Sequence, residues 1–500
     1  MPPCLQDNNT KNILKGYFTF LNQKIYLGCP PDWNSKGMSK LWFYNLHYFD
    51  YIWTLNYHES KKLVLDWIEK YPLNKNTAGW EPYPVSLRLM NWCCVFFYKF
   101  LEQTESDSLM LERIWKSIYI QAEWLFRHIE THLLGNHLLE NAAALLFAGS
   151  CFDGDAAKRW FLKGREILKN EISEQILPDG MHFERSSMYH LRIAYLFANL
   201  LNIDKAELNC IIEPHFENML EAIRKITHPD GDISLLNDSA FKIYNAPEQL
   251  LKYAGNNSYS DISQTGTFVL PQAGYFGFRG EDGTYIICDA GVIGPDYIPG
   301  HSHADIFSFE LSLKGHRVIV DSGVYDYEIG KMREYCRSTK AHNTIEIDGQ
   351  DQCEMWGAFR VAKRGRPFNI EWKPSVNGFQ LSAAHDGYKR LKGNPLHCRE
   401  FIWDKTGFLS VRDRVTSSFR NDIKSRIHLH PDCQICEINK NTAWIKYPVG
   451  EIRITFYGPG RLTVDDSFYC PEFGVKTANK SLVFSLSGSS IETGFQLEAL

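Results

Sequence analysis

No stretch of this chain stays apolar long enough to span a bilayer, so no transmembrane segment is expected. The opening residues, MPPCLQDNNTKNILKG, lack a basic stretch followed by an apolar core, so no secretory signal is expected either. Positive charge is not in excess: 54 Lys and Arg face 59 Asp and Glu, a net charge of −5, which argues against nucleic acid as a partner. Thirteen cysteines, odd in number and irregularly placed, do not form a disulfide framework and fit reduced thiols. These absences point to the cytoplasm as the compartment, with the periplasm as the alternative. What remains, 44% hydrophobic and 23% charged residues, is the balance of an ordinary globular protein. At 500 residues it is too long for one core, so at least two domains are expected.

Two periodicities divide the chain. From about Leu41 to Leu251 apolar residues recur at helical spacing, as in PVSLRLMNWCCVFFYKFLEQ, LERIWKSIYIQAEWLFRHIETHLL and NHLLENAAALLFAGSCF. Short connections between such helices favour stacked antiparallel hairpins. After about Asn256 come short β-branched and aromatic runs between Gly, Asp and Asn turns, among them GTYIICDAG, FSFELSLKGHRVIVDSG and GEIRITFYG. Those runs predict an antiparallel sheet domain, a sandwich. The loose stretch KYAGNNSYSDISQTG reads as the linker. The expected division is an extension over 1–40, a helical domain over 41–255 and a β domain over 256–500, a multidomain α+β protein.

Several polar groups need explaining. GHSHADIFSFEL, residues 300–311, places His301, His303 and Asp305 at alternate positions before an apolar run. An extended chain would point all three to the side that becomes core, and burying such groups is costly. Downstream, Asp321 follows His303 by eighteen residues and His342 lies in STKAHNTIEIDG. Two histidines and a carboxylate make a three-ligand zinc set, while turn-capping aspartates and surface histidines are the plainer reading. In GNHLLENAAALL, Asn136 and Glu140 are one turn apart, and His137 is three residues from Glu140. With Gly135 at the helix start, Asn136 and His137 either cap the helix or bind a carboxylate ligand at its N-terminus. LPDGMHFERSSMYHL brings Tyr189 to the start of another helix, with Arg185 a turn earlier. Tyr189 is either a core phenol or, with a cation lowering its pKa, a base and then an acid. The basic runs KMREYCRSTK, Lys331 to Lys340, and RVAKRGR, Arg360 to Arg366, read as solvated faces or as a rim for an anionic ligand.

Taken in order, GNHLLENAAALLFAG, ILPDGMHFERSSMYHL and GHSHADIFSFELSLKGHRVIVDSGVYDY…RSTKAHNTIEIDGQDQ resemble the heparinase II/III-like polysaccharide lyases, as do LWFYNLHYFDYI and the late HDGY…R…VRDRV. The resemblance covers most of the chain and implies an N-terminal (α/α) toroid followed by a C-terminal antiparallel β-sandwich. It also implies β-elimination on a uronic-acid-containing polysaccharide: a proton leaves C5 and the 4-O-linked sugar departs. That chemistry requires a neutralised carboxylate, a base near C5 and an acid at the leaving oxygen. The resemblance assigns Tyr189 as base, acid or both, and His301 as the second acid/base or a substrate contact. Asn136 and His137 would quiet the carboxylate, Glu140 would orient His137, and Arg88 and Arg185 would contact substrate. Heparinase II-like members carry a zinc whose ligands correspond to His303, Asp321 and His342, here chiefly structural. His301 then faces substrate and His303 the metal, so strict alternation breaks early in the segment, with Asp305 holding the turn or a hydrogen bond behind the ligands. The implied partner is an anionic polysaccharide, with a link to surface polysaccharide (capsule, O-antigen or exopolysaccharide) suggested by the missing signal. Two rivals remain open: a glycoside hydrolase on the same fold, using two carboxylates from Glu140, Glu184, Asp230 and Asp232, and a non-catalytic polysaccharide-binding or assembly protein.

Overall fold

The computed structural model describes residues 3, 8–74, 76–203, 205–255 and 265–500. Most of the linker stretch, residues 256–264, lies outside the described residues. The chain forms two compact units that do not follow a single cut. One comprises Met1–Gln175, Arg192–Phe216 and Lys242–Asn245; the other comprises Ile176–Leu191, Glu217–Phe241 and Ala246–Leu500.

In the first unit the helical periodicity becomes helices Lys40–Tyr48, Tyr57–Lys70, Pro82–Cys94, Ser108–Arg127, Gly135–Cys151 and Asp155–Gln175. Local chemistry sets their starts. Asn56 and Glu59 form a reciprocal capping box, Asp107 accepts from the Met110 N–H, and Pro82 stands in the first turn, where no N–H is needed. The predicted run from Pro84 to Gln103 is broken: after Cys94 the chain adopts a π segment, Val95–Lys99, where β-branched and aromatic side chains crowd the turn. The core is aromatic, with Trp42, Trp67 and Trp92 sealed from solvent. The hairpin Tyr17–Phe20 and Gln23–Tyr26 joins it, Phe18 and Phe20 packing on Tyr51 and Trp42.

The second unit is a sandwich. Strands Gly266–Leu270, Tyr275–Arg279, Tyr285–Asp289, Phe309–Leu313 and His316–Ile319 form an antiparallel meander in chain order. Lys314 and Gly315, both at positive φ, make the two-residue turn that joins its last two strands. A ten-stranded antiparallel sheet faces it, built around the long neighbouring strands Phe408–His428 and Thr477–Ala499. One face of the meander (Phe276, Phe278, Phe309, Leu311) shares a core with Phe401, Trp403, Val411 and Phe495. Its other face (Tyr275, Tyr285, Ile287) packs on Met181, Ala222, Ile226 and Leu236. The three inner meander strands are therefore buried on both faces; Tyr285–Asp289 reads as a nearly continuous apolar run, whereas Phe309–Leu313 alternates, its inward Glu310 and Ser312 meeting His228. The ten-stranded sheet has one open face, and Leu396–Asp404 alternates accordingly. A Cys-x-x-Cys spacing, Cys433 and Cys436, straddles the start of the sheet's edge strand Gln434–Asn439, and neither thiol forms a disulfide among the described residues.

Charge is buried in this core. Asp413 accepts from Arg399 Nε at 2.7 Å and Nη2 at 2.9 Å, and lies 2.7 Å from His397 Nε2, whose Nδ1 is 3.0 Å from His385. Burial pushes the Asp413 pKa up, but Arg399 and His397 outweigh it and hold the group at about 2. A carboxyl held below its unfolded value stabilises the fold above about pH 4, and that contribution fades as pH falls through about 2. Because it leaves the buried Arg399 without its counter-charge, Asp413→Asn is expected to remove about 3–5 kcal/mol at neutral pH and to flatten the acid limb of urea-unfolding stability between about pH 4 and 2.

Candidate active site

The two segments that carry most of the resemblance converge within the sandwich unit. Tyr189 opens the helix Ser187–Leu201, and its N–H donates to Ser186 Oγ at 3.2 Å. His301 lies in the irregular segment that precedes strand Phe309–Leu313. Their rings are in contact, tilted at 32° with centroids 4.0 Å apart. The Tyr189 hydroxyl is 3.1 Å from the Tyr327 hydroxyl. His301 Nδ1 is hydrogen-bonded to Asp238 Oδ2 at 2.9 Å, and its Nε2 is 3.6 Å from Glu184 Oε2. The imidazole keeps 16% of its side-chain surface exposed, so one ring is both anchored and reachable. Such a phenol and imidazole can exchange protons with a bound molecule.

The alternation read through His301, His303 and Asp305 does not hold, because residues 300–308 are turns rather than strand and Phe307 has positive φ. Freed from that register, both histidines reach the same carboxylate: His303 Nε2 is 2.8 Å from Asp238 Oδ1. Asp305 holds a turn, its carbonyl accepting from the Ser308 N–H, and its Oδ2 accepts from the Asn237 N–H at 3.3 Å.

His303, Asp321 and His342 are fully buried, with ligand atoms within 4.8 Å of one another, and can hold a metal ion. The donor set fits. Among the described residues His303 Nδ1 and His342 Nε2 are buried without a hydrogen-bond partner, which is costly unless something binds them. His342 Nδ1 is 2.7 Å from Asp321 Oδ2. Burial lowers the His342 pKa, but the Asp321 charge and hydrogen bond overcome it and lift it to about 9. Burial pushes Asp305 up to about 6, with the Asp321 charge raising it further, and burial together with the Glu310 charge raises Asp321. Negative charge crowded in this way favours a cation.

On the helical unit, Gly135–Cys151 starts where expected, but its cap is Leu134 at positive φ, and Asn136 lies buried inside the first turn. His137 packs on Tyr83 at 4.3 Å, and its Nδ1 is 3.2 Å from Glu130 Oε1, close enough for an ion pair but not directed as a hydrogen bond. The carboxylate at His137 Nδ1 is thus Glu130. Glu140, expected to orient His137, is instead fully buried and paired with Arg192 Nε.

The expectation that Arg88 and Arg185 contact substrate gives way to structural roles. Arg88 is sealed among Trp67, Trp80 and Trp92, donating to Gln121, His47 O and Gly79 O; burial lowers its pKa to about 9. Arg185 donates to the carbonyls of Phe183, Gln272 and Ala273. The basic run 331–340 is likewise only partly a solvated face: Arg333 and Arg337 are each 1% exposed. Arg333 forks onto Asp238, while Arg337 Nε donates to Ser302 O at 3.1 Å. Asp230, a hydrolase candidate, is held by Arg317. Sequence reasoning missed Asp238, Arg333 and Tyr327. Asp238 sits in an unremarkable NDS, and no linear spacing ties it to His301.

A helical N-terminal region followed by antiparallel sheets, with a histidine–tyrosine pair beside a buried His/Asp/His group, defines the class of scaffold. The chain belongs to the heparinase II/III-like family: residues 52–258 match the Heparinase II/III N-terminus and residues 263–497 the Heparinase II/III-like C-terminal domain. It is 26% identical over 420 residues to a heparin-sulfate lyase of Pedobacter heparinus, covering 77% of this chain and 60% of that protein. It is 26% identical over 476 residues to a heparin-sulfate lyase of Bacteroides stercoris, covering 81% and 65%. The chain therefore spans about three-fifths of the length of these curated relatives. A crystal structure of heparinase III superposes with a TM-score of 0.74 at 18% identity, covering 94% of this chain and 79% of that one, which supports the fold.

Removing Glu140 would leave Arg192 charged and buried. Glu140→Ala is expected to lower the unfolding free energy by about 3–5 kcal/mol, measured by urea denaturation.

Proposed function

We propose that this protein is a polysaccharide lyase that cleaves a uronic-acid-containing polysaccharide of the glycosaminoglycan class by β-elimination. The observation that carries the reading is the contact of Tyr189 with His301, whose ring is fixed by Asp238. Elimination needs one group to take the C5 proton and one to protonate the departing 4-oxygen. A phenol and an imidazole in ring contact supply both without a water nucleophile. Tyr189 and His301 are assigned as that acid/base pair. The Tyr327 hydroxyl, in reach of the Tyr189 hydroxyl, is placed to share its proton. Asn136 and His137 are assigned, on the resemblance, to the hydrogen bonds that quiet the uronate carboxylate. The names of the curated relatives favour a sulfated glycosaminoglycan, and the link to surface polysaccharide stays part of the proposal.

The metal is proposed to be zinc, held by His303, Asp321 and His342. These nitrogen and carboxylate donors suit zinc, which would supply a fixed positive charge to a structural site. The protein's own part is to present the buried nitrogens of His303 and His342 to the ion, with the proton that the Asp321 charge favours on His342 given up when a metal binds.

A panel of uronic-acid glycans, scored by the ultraviolet absorbance of the conjugated unsaturated end, tests the activity. Wild-type protein is expected to generate that absorbance, and Tyr189→Phe to lower kcat by roughly a hundred- to ten-thousand-fold while the glycan still binds. Absence of unsaturated ends, with new reducing ends formed by hydrolysis, would reject elimination. For the metal, elemental analysis is expected to find about one zinc per chain in the purified protein and to find it lost in His303→Ala. A folded, metal-free native preparation would reject that assignment.

A further inference from the structure

One carboxylate serves both halves of the candidate site. Asp238 is fully buried. Its Oδ2 accepts from His301 Nδ1 at 2.9 Å and its Oδ1 from His303 Nε2 at 2.8 Å. Arg333 forks over both oxygens, with Nη2 donating to Oδ2 at 2.8 Å and Nη1 to Oδ1. The main chain is engaged as well. The Asp238 N–H donates to His301 O at 3.1 Å. The Asp238 carbonyl accepts from Ser186 Oγ at 2.6 Å, the same hydroxyl oxygen that accepts the Tyr189 N–H. Next to it, Asn237 Oδ1 accepts the His303 N–H at 3.0 Å.

These contacts determine proton positions. A carboxylate accepting at His301 Nδ1 fixes the N–H there and leaves Nε2 as the exchanging nitrogen. The same carboxylate accepting at His303 Nε2 leaves the Nδ1 lone pair to face the buried ligand group. Arg333 supplies the opposite charge that makes the buried carboxylate tolerable and fixes its plane.

Resting on the lyase reading above, we propose that Asp238, clamped by Arg333, is a positioning residue that sets the tautomer of His301 for proton transfer and of His303 for metal binding in a single group. Metal retention and turnover are thereby tied to one carboxylate rather than to each other. Asparagine at this position keeps the shape but presents an N–H where an acceptor is required.

The test uses the full chain carrying Asp238→Asn, Arg333→Lys or His301→Ala, with folding checked by near-ultraviolet circular dichroism and thermal unfolding. Zinc affinity is read by competition with a chromophoric chelator, and kcat and KM on the glycan that wild-type protein cleaves. Asp238→Asn is expected to weaken zinc binding by roughly 10- to 100-fold, and to keep kcat down by about tenfold or more at saturating zinc with KM little changed. Arg333→Lys is expected to show the same pattern more mildly, and His301→Ala to retain zinc. Unchanged zinc affinity in Asp238→Asn, full recovery of kcat on adding zinc, or loss of zinc in His301→Ala would each overturn the proposal. If Asp238→Asn does not fold, Arg333→Lys decides by the same two readouts. If wild-type protein cleaves no uronan, the lyase reading fails, and the zinc affinities of Asp238→Asn and His301→Ala still decide the metal half.

Discussion

The sandwich unit depends on how it handles buried negative charge. Asp238 stays charged though fully buried because Arg333 forks onto it and two imidazoles donate to it. Burial alone would push its pKa up, and the nearby guanidinium and hydrogen bonds instead hold it well below the usual carboxylate range. Such a group tolerates no partial solution. Fully paired, it fixes the loops that donate to it; with one donor removed, the remaining charge is stranded at considerable cost.

The pattern repeats through the unit. Glu310 accepts from the Leu235 N–H and the Asp321 N–H and lies 3.1 Å from His228 Nε2. Asp413 fixes Arg399, whose Nη1 reaches out of the sheet to the carbonyls of Phe307 at 2.8 Å and Asn343 at 2.7 Å. Those carbonyls belong to the segment after His303 and Asp305 and to the residue next to His342. A rigid sheet core thus holds, through one arginine, the two loops that carry candidate ligands. Side chains anchored in this way keep their geometry without help from a bound molecule, which is what a preorganised site requires.

Much of this was legible before any coordinates. The change from helical to strand-like periodicity near residue 256, the helix beginning at Gly135, the helix presenting Tyr189, and the strands around Phe309–Leu313 follow from local patterns of apolar and turn-forming residues. The histidine and aspartate ligand group was one reading of the residue types, favoured by the resemblance, and His303, Asp321 and His342 do converge. Other readings failed for identifiable reasons. Alternation through residues 301–305 assumed a strand where the chain turns. The arginines at 88 and 185 were read as substrate contacts, and the run holding 333 and 337 as a solvated face or an anion rim, because sequence shows charge but not burial; each of the four side chains instead meets carbonyls, tryptophans or a carboxylate.

The sequence by itself determined the two kinds of secondary structure, the order of the motifs and the set of residue types available for proton transfer and metal binding. These depend on neighbours a few positions apart, within reach of one turn or one strand. Only the tertiary structure decided which carboxylate serves which histidine: Glu130 rather than Glu140 at His137, and Asp238 between His301 and His303. Hydrogen bonds act over about 3 Å, while Asp238 and Arg333 are 95 residues apart in the chain. Nothing in linear spacing records a contact made that way.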